Sequence, residues 1–170
     1  MINVMNEYDF TLTFSLPDQS KVAEDYLDLL YEAGCDDAII GVGVVGTISL
    51  EFVRDGLSAK EVVESALNAV LVAIPNAELI EAKPDLVGLS DVAEILDCSR
   101  QNVRKHMVSH RDFPHPAFTG KTSLWHLWEL ASFKKLSIPS SLVDLSRIIF
   151  DLNMDVWKKK SNSNKSVINC

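Results

Sequence analysis

The stretch "LVGLSDVAEILDCSRQNVRKHMV", residues 86–108, holds two short apolar-periodic segments separated by a polar turn. Val92, Ala93, Ile95 and Leu96 are the apolar positions of the first, with Ser90 as its expected cap. Asp97 and Cys98 make the turn, and Ser99 caps a second helix containing Val103 and Met107. The pattern is helix, tight turn, helix. Val103 and Met107 stand four apart and so must face the first helix, which turns Gln101, Arg104, Lys105 and Val108 outward. Downstream, Phe113, Pro114, His115 and Pro116 break regularity, and Thr119, Gly120 and Lys121 suggest a hairpin tip before Leu124 and Trp125 return to the core. Such a hairpin would be a wing.

Upstream, Tyr8, Phe10, Leu12, Phe14 and Leu16 alternate with polar residues, the signature of a half-buried strand. After Pro17 and the cap candidate Asp18, Val22, Tyr26, Leu29, Leu30 and Ala33 recur at helical spacing until Gly34. Residues 38–45 and 47–53 read as two strands around a glycine-rich turn. Ser58 with Glu61 gives a capping-box signature for a helix that Pro75 and Asn76 stop, and residues 77–82 read as a further strand. The order βαββαβ is that of the ferredoxin-like split βαβ fold, which hosts many functions and names none. Lys83, Pro84 and Asp85 mark a boundary. The expected organisation is an acidic ferredoxin-like α+β domain over 1–84, a winged helix-turn-helix over 85–137, a dimerisation helix over 138–160 and a disordered tail over 161–170.

Charge separates these parts. The chain has 170 residues with a formal net charge of −8 and 47% hydrophobic residues. Residues 1–85 carry 16 acids and 4 bases, whereas residues 86–170 carry 8 acids and 12 bases. Arg100, Arg104, Lys105, Arg111 and Lys121 are opposed only by Asp112 within residues 99–121. Such asymmetry points to nucleic-acid contact by the basic part. Arginine can make bidentate bonds to guanine and glutamine to adenine in the major groove; Gln101 holds one of the outward reading positions, and Arg100 and Arg104 are the candidate base readers. Ser99 and the helix N-terminus are placed to meet a phosphate, with Lys105 and Lys121 as phosphate-directed point charges.

The run from Leu86 to Val108, with the following "FPHPAFTGKTSLW", resembles the winged helix-turn-helix of the MerR superfamily and its excisionase-like and AlpA-like relatives. The "LS-x-VAEIL-x-CSRQ-x-VR" run, the F-P-x-P and the glycine-then-tryptophan ending carry it, and it implies DNA binding. With "YEAGCDDA" at residues 31–38 in an acidic domain ahead of such a module, the chain is also similar to small bacterial helix-turn-helix proteins of unassigned function. It departs from MerR activators in two ways: the DNA module is central, and the pairing helix is short. Inducer-driven promoter twisting therefore does not carry over.

Leu142, Leu145, Ile149, Leu152 and Val156 step by three and four residues, an a/d seam that would pair two chains. Ile148 and Trp157 widen the stripe, which leaves packing within the chain as the alternative.

Several classes fall away. The chain is too short for an α/β barrel, no apolar run approaches the length of a membrane span, and the N-terminus lacks a signal pattern, so a cytoplasmic protein is expected. Cys35, Cys98 and Cys170 suggest neither a disulfide framework nor a zinc ribbon. Gly41, Gly43 and Gly46 spell a dinucleotide-loop pattern, with Glu61 or Glu64 further on, but the residues that follow alternate as a strand instead of opening a helix. His106 and His110 share one helical face near Cys98 without a convincing third ligand, so no metal is expected. Cys35 beside Asp36 and Asp37 should have its thiolate disfavoured, which argues against a nucleophile.

The expectation is a non-enzymatic, cofactor-free, homodimeric bacterial regulator that binds specific sequences in double-stranded DNA, two recognition helices meeting a pseudo-palindromic site. The rival is a DNA-binding antitoxin or phage-defence component whose acidic domain holds a protein partner. A third reading is a regulator whose N-terminal domain binds an effector.

Overall fold

A computed structural model describes residues 4–41 and 43–168. The chain divides into two compact units, one of Met1–Lys83 with Asp151–Cys170 and the other of Pro84–Phe150. Its architecture is mixed α+β, built on a four-stranded antiparallel sheet.

In the first unit, β1 (Asn6–Ser15) is the alternating strand. A 3-10 turn (Ala23–Tyr26) leads into α1 (Leu27–Glu32), followed by β2 (Ala38–Gly41), β3 (Thr47–Gly56), α2 (Ala59–Ala73) and β4 (Glu78–Lys83). The sheet order is β2-β3-β1-β4, and every pairing is antiparallel. Alternation sends Phe10, Leu12 and Phe14 of β1 and Ile48, Leu50 and Phe52 of β3 into one core. Phe10 lies directly opposite Phe52, their rings stacked with centroids 5.3 Å apart. On the other face, the hydroxyls of Thr13 and Ser49 meet at 2.9 Å. Helix α2 begins where the Ser58 hydroxyl accepts from the Glu61 amide at 3.2 Å, and Val62, Val63, Ala66 and Val70 form its buried stripe.

The first helix is shorter than its periodicity predicts. Asp18 does not cap it. Its carboxylate accepts from the Ser20 amide and hydroxyl at 3.0 and 2.6 Å, and these bonds hold it below the usual carboxylate range. Of the expected apolar face, Tyr26 and Leu30 are buried, while Val22 and Leu29 stand in water. The strand expected to reach residue 45 stops at Gly41, because the turn needs a left-handed residue at Gly46 (φ +80°) and the Gln19 amide sits where a Cβ there would project.

The second unit begins with β5 (Leu86–Val87), α3 (Leu89–Ile95) and α4 (Arg100–Ser109). Then come β6 (Trp125–His126), α5 (Leu127–Leu130), a 3-10 turn (Lys134–Leu136) and the first part of α6 (Ser140–Ile168). Strand β5 pairs antiparallel with β6. Val87, Val92, Ala93, Val103, Trp125 and Leu127 share a core with Phe113, Leu130, Phe133 and Leu136. Ser90 is not the cap of α3. That place belongs to Gly88, whose N–H donates to the Asp91 carboxylate at 2.6 Å.

Helix α6 departs furthest from expectation. It runs to Ile168, through the stretch expected to be a disordered tail; residues 169 and 170 lie outside the described residues. With no Pro or Gly in that stretch, a helix already nucleated propagates one hydrogen bond per residue. The stripe expected to pair two chains is covered within this one. Leu145, Ile149 and Val156 are 2%, 0% and 8% exposed, Leu152 is half-buried, and Leu142 packs against the core of the second unit. The apolar stripe, wider than a strict seam, is what a helix buried in its own chain requires. Asn153, 4% exposed, accepts from the Ala82 N–H at 2.8 Å and donates to the Ala82 carbonyl at 2.9 Å, closing the open side of edge strand β4 at that residue. Among the described residues, no helix is long and apolar enough to cross a membrane.

Candidate nucleic-acid interface

The geometry of α4 is set by the turn that precedes it. The Leu96 and Cys98 amides bond back to the Val92 and Ala93 carbonyls at 3.0 and 2.9 Å, and Asp97 takes the left-handed conformation at φ +48°. Asp is among the few residues that tolerate this conformation, so the turn can be tight without a glycine. The chain then re-enters a helix at once: the Ser99 hydroxyl accepts from the Asn102 amide at 3.1 Å. No acid lies in the first turn of α4, so nothing there neutralises the positive end of its dipole.

Val103, 1% exposed, is fully inside and Met107 packs against the same core. At about 100° per residue, Gln101, Arg104, Lys105 and Val108 therefore share the opposite face, and all four are exposed. Arg100 is exposed as well but lies on the flank of that face, nearer the core side. Arg111 is exposed in the turn after α4. Lys121 is exposed at the end of a hairpin closed by the Phe118–Leu124 bridge, whose two amide-to-carbonyl bonds are 3.2 and 3.0 Å. The ring of Phe118 is half in water.

Among the described residues, Arg100, Arg104, Lys105, Arg111 and Lys121 have no carboxylate within ion-pair distance. Several cations elsewhere are engaged: Arg54 is bidentate to Asp37 and donates to the Gly34 carbonyl, Lys60 meets Glu64, and Arg147 lies 4.3 Å over the Trp128 ring. The α4 face thus offers uncompensated positive charge and unused donors, which is what a phosphate backbone and guanine edges require.

Several residues hold this arrangement in roles that sequence reasoning did not give them. Asp85, assigned to a boundary, is buried. Its carboxylate meets His126 Nδ1 at 2.6 Å, and its carbonyl accepts from the Leu127 amide at 2.8 Å, tying the first strand of the unit to its last. The Trp125 indole donates to the Pro114 carbonyl at 2.9 Å, which explains why the proline-rich break and the tryptophan occur together. Lys135 Nζ stands 2.6 Å from His110 Nε2, and His110 Nδ1 stands 3.1 Å from the His106 carbonyl. An ammonium donating to Nε2 places the ring proton on Nδ1, from which it is donated to that carbonyl. Both histidine rings also pack edge-on against Phe133, so this pair buttresses the end of α4. The only sequence signal was the four-residue spacing.

The remaining motifs sit in structural places. The glycine-rich segment turns from β2 into strand β3 and opens no helix. Cys35 is buried, and burial is the first reason its thiol is pushed up. The Arg54 guanidinium partly offsets that, and the neighbouring Asp37 and Asp36 add to it. Family models, curated proteins and solved structures contain no match to this chain, so the case for the α4 face rests on its own geometry.

Proposed function

We propose that this chain is a non-enzymatic protein that binds specific sequences in double-stranded DNA and acts as a cytoplasmic transcriptional regulator. On this reading residues 84–150 are a winged helix-turn-helix, with α4 as recognition helix and the Phe118–Leu124 hairpin as wing. The first unit, with its β2-β3-β1-β4 antiparallel order and βαββαβ succession, is a ferredoxin-like domain.

The observation that carries the reading is the division of labour on α4. Val103 and Met107, braced by the rings of His106 and His110, anchor it, while Gln101, Arg104 and Lys105 are left exposed on one face, the two cations with no ion-pair partner among the described residues. Arg104 reads guanine O6 and N7, Gln101 reads adenine, and Lys105, Arg111 and Lys121 hold phosphates around them. Arg100, on the flank, is better placed for backbone than for base. The buried stripe of α6 is not assigned to dimerisation.

The test is selection of duplexes from a random library by the full chain, followed by sequencing. Enrichment of a short guanine-containing motif that disappears with Arg104→Glu is expected. A pool that stays random at moderate salt would overturn the proposal.

One observation favours a second reading, in which the first unit holds a basic protein partner. Leu27, Leu29 and Tyr31 are exposed along α1 beside Glu24, Asp25, Asp28 and Glu32, an apolar and acidic surface side by side. An antitoxin or phage-defence component would use it so.

A further inference from the structure

The first unit contains a groove of about 900 Å³ between α2, the start of β4 and the distal half of α6. Leu67 and Leu71, one turn apart on α2, form one wall, Leu79 of β4 contributes to the floor, and Leu152 and Val156 form the opposite wall. The volume and the apolar lining are those of a small-molecule site. The lining changes character along α6. One turn beyond Val156 it presents the exposed Lys159 and Lys160, and a turn later the polar Ser163 and Asn164. Of the two acids on the lining, Asp155 is already 3.6 Å from the Lys158 ammonium, and Glu78 stands exposed at the start of β4. Lys159 and Lys160 have no carboxylate within ion-pair distance among the described residues.

We propose that this groove binds one free medium-chain carboxylate, its alkyl tail against Leu152 and Val156 and its head between Lys159 and Lys160. The nine residues from Leu152 to Lys160 span about 12 Å of helix axis, which matches a tail of medium length. An apolar trough ending in two ammonium groups fits a single anionic head on an alkyl body. A neutral alcohol would leave both cations without a partner, and a dianionic metabolite without a tail would leave the trough wet. The proposal stands independently of the DNA reading.

The experiment is displacement of fluorescent anilinonaphthalene sulfonate from the full chain by octanoate, decanoate and dodecanoate, with decanol as the uncharged control. Saturable displacement with one site per chain is expected, tightening about fourfold per added methylene until the trough is full. Lys159→Ala with Lys160→Ala should weaken decanoate about tenfold and leave decanol unchanged. Leu71→Gln, at a position already 42% exposed and so compatible with folding, should weaken both. Absence of saturable binding, equal binding of decanol and decanoate, or decanoate affinity untouched in the double lysine variant would each overturn the assignment. So would sedimentation showing that a second copy of the chain occupies the groove.

Discussion

Helix α4 anchors itself with Val103 and Met107, braced by the rings of His106 and His110, and leaves its charges in water, whereas α6 buries its apolar stripe and spends a buried amide on the edge of a sheet. Both are amphipathic, yet the balance of their faces is opposite. The exposed face of α4 presents donors and cations with no internal partner; the buried face of α6 has its partners inside the chain. A surface for a macromolecule is marked by what a helix leaves unsatisfied. Periodicity alone, which the two helices share, does not mark it.

The sharpest way to break this contrast is at Ile149. If α6 belongs to the interior, Ile149→Ala should cost about 2–5 kcal/mol of stability, read as a lower urea midpoint. A seam between two chains would instead give a lighter particle in light scattering with the fold intact. Asn153→Ala comes next, because it strands the N–H and carbonyl of Ala82, at about 1–3 kcal/mol for each group left buried and unbonded. Hydrogen exchange should then accelerate at β4 first; unchanged exchange there would contradict the edge-closing role.

How these features appear in the amino-acid sequence follows from the range of the forces involved. The alternation of β1, the Ser58 and Ser99 caps and the outward face of α4 are local, and all were legible. The fate of α6 was not, because a stripe of Leu, Ile and Val has the same spacing whether it meets another chain or its own. Ile148 and Trp157 beside it were the available sign. The Asp85–His126 and Lys135–His110 pairs join residues far apart in sequence, and nothing local announces them. Asp18 looked like a cap, but its short side chain found Ser20 first.

A smaller effect sharpens the other arm. Lys105→Ala and Lys121→Ala each remove a charge that the proposal directs at a phosphate, from an exposed position, so neither should alter stability by more than about 0.5 kcal/mol. Each should lower the slope of log affinity against log salt by about one, with sequence preference unchanged. A change of preferred sequence in either variant would move that residue from the backbone to the bases.

The central claim, that the outward face of α4 reads DNA, is tested most directly by titrating a selected duplex with the wild-type chain and with Arg104→Glu. Thermal unfolding of both proteins is followed alongside. Arg104 is exposed and has no ion-pair partner among the described residues, so the variant should melt with the wild type. Its specific binding should fall by at least the ~1–3 kcal/mol of a lost bidentate base contact, with discrimination at one base pair gone. Equal affinity and equal discrimination in the two proteins, at matched stability, would contradict it.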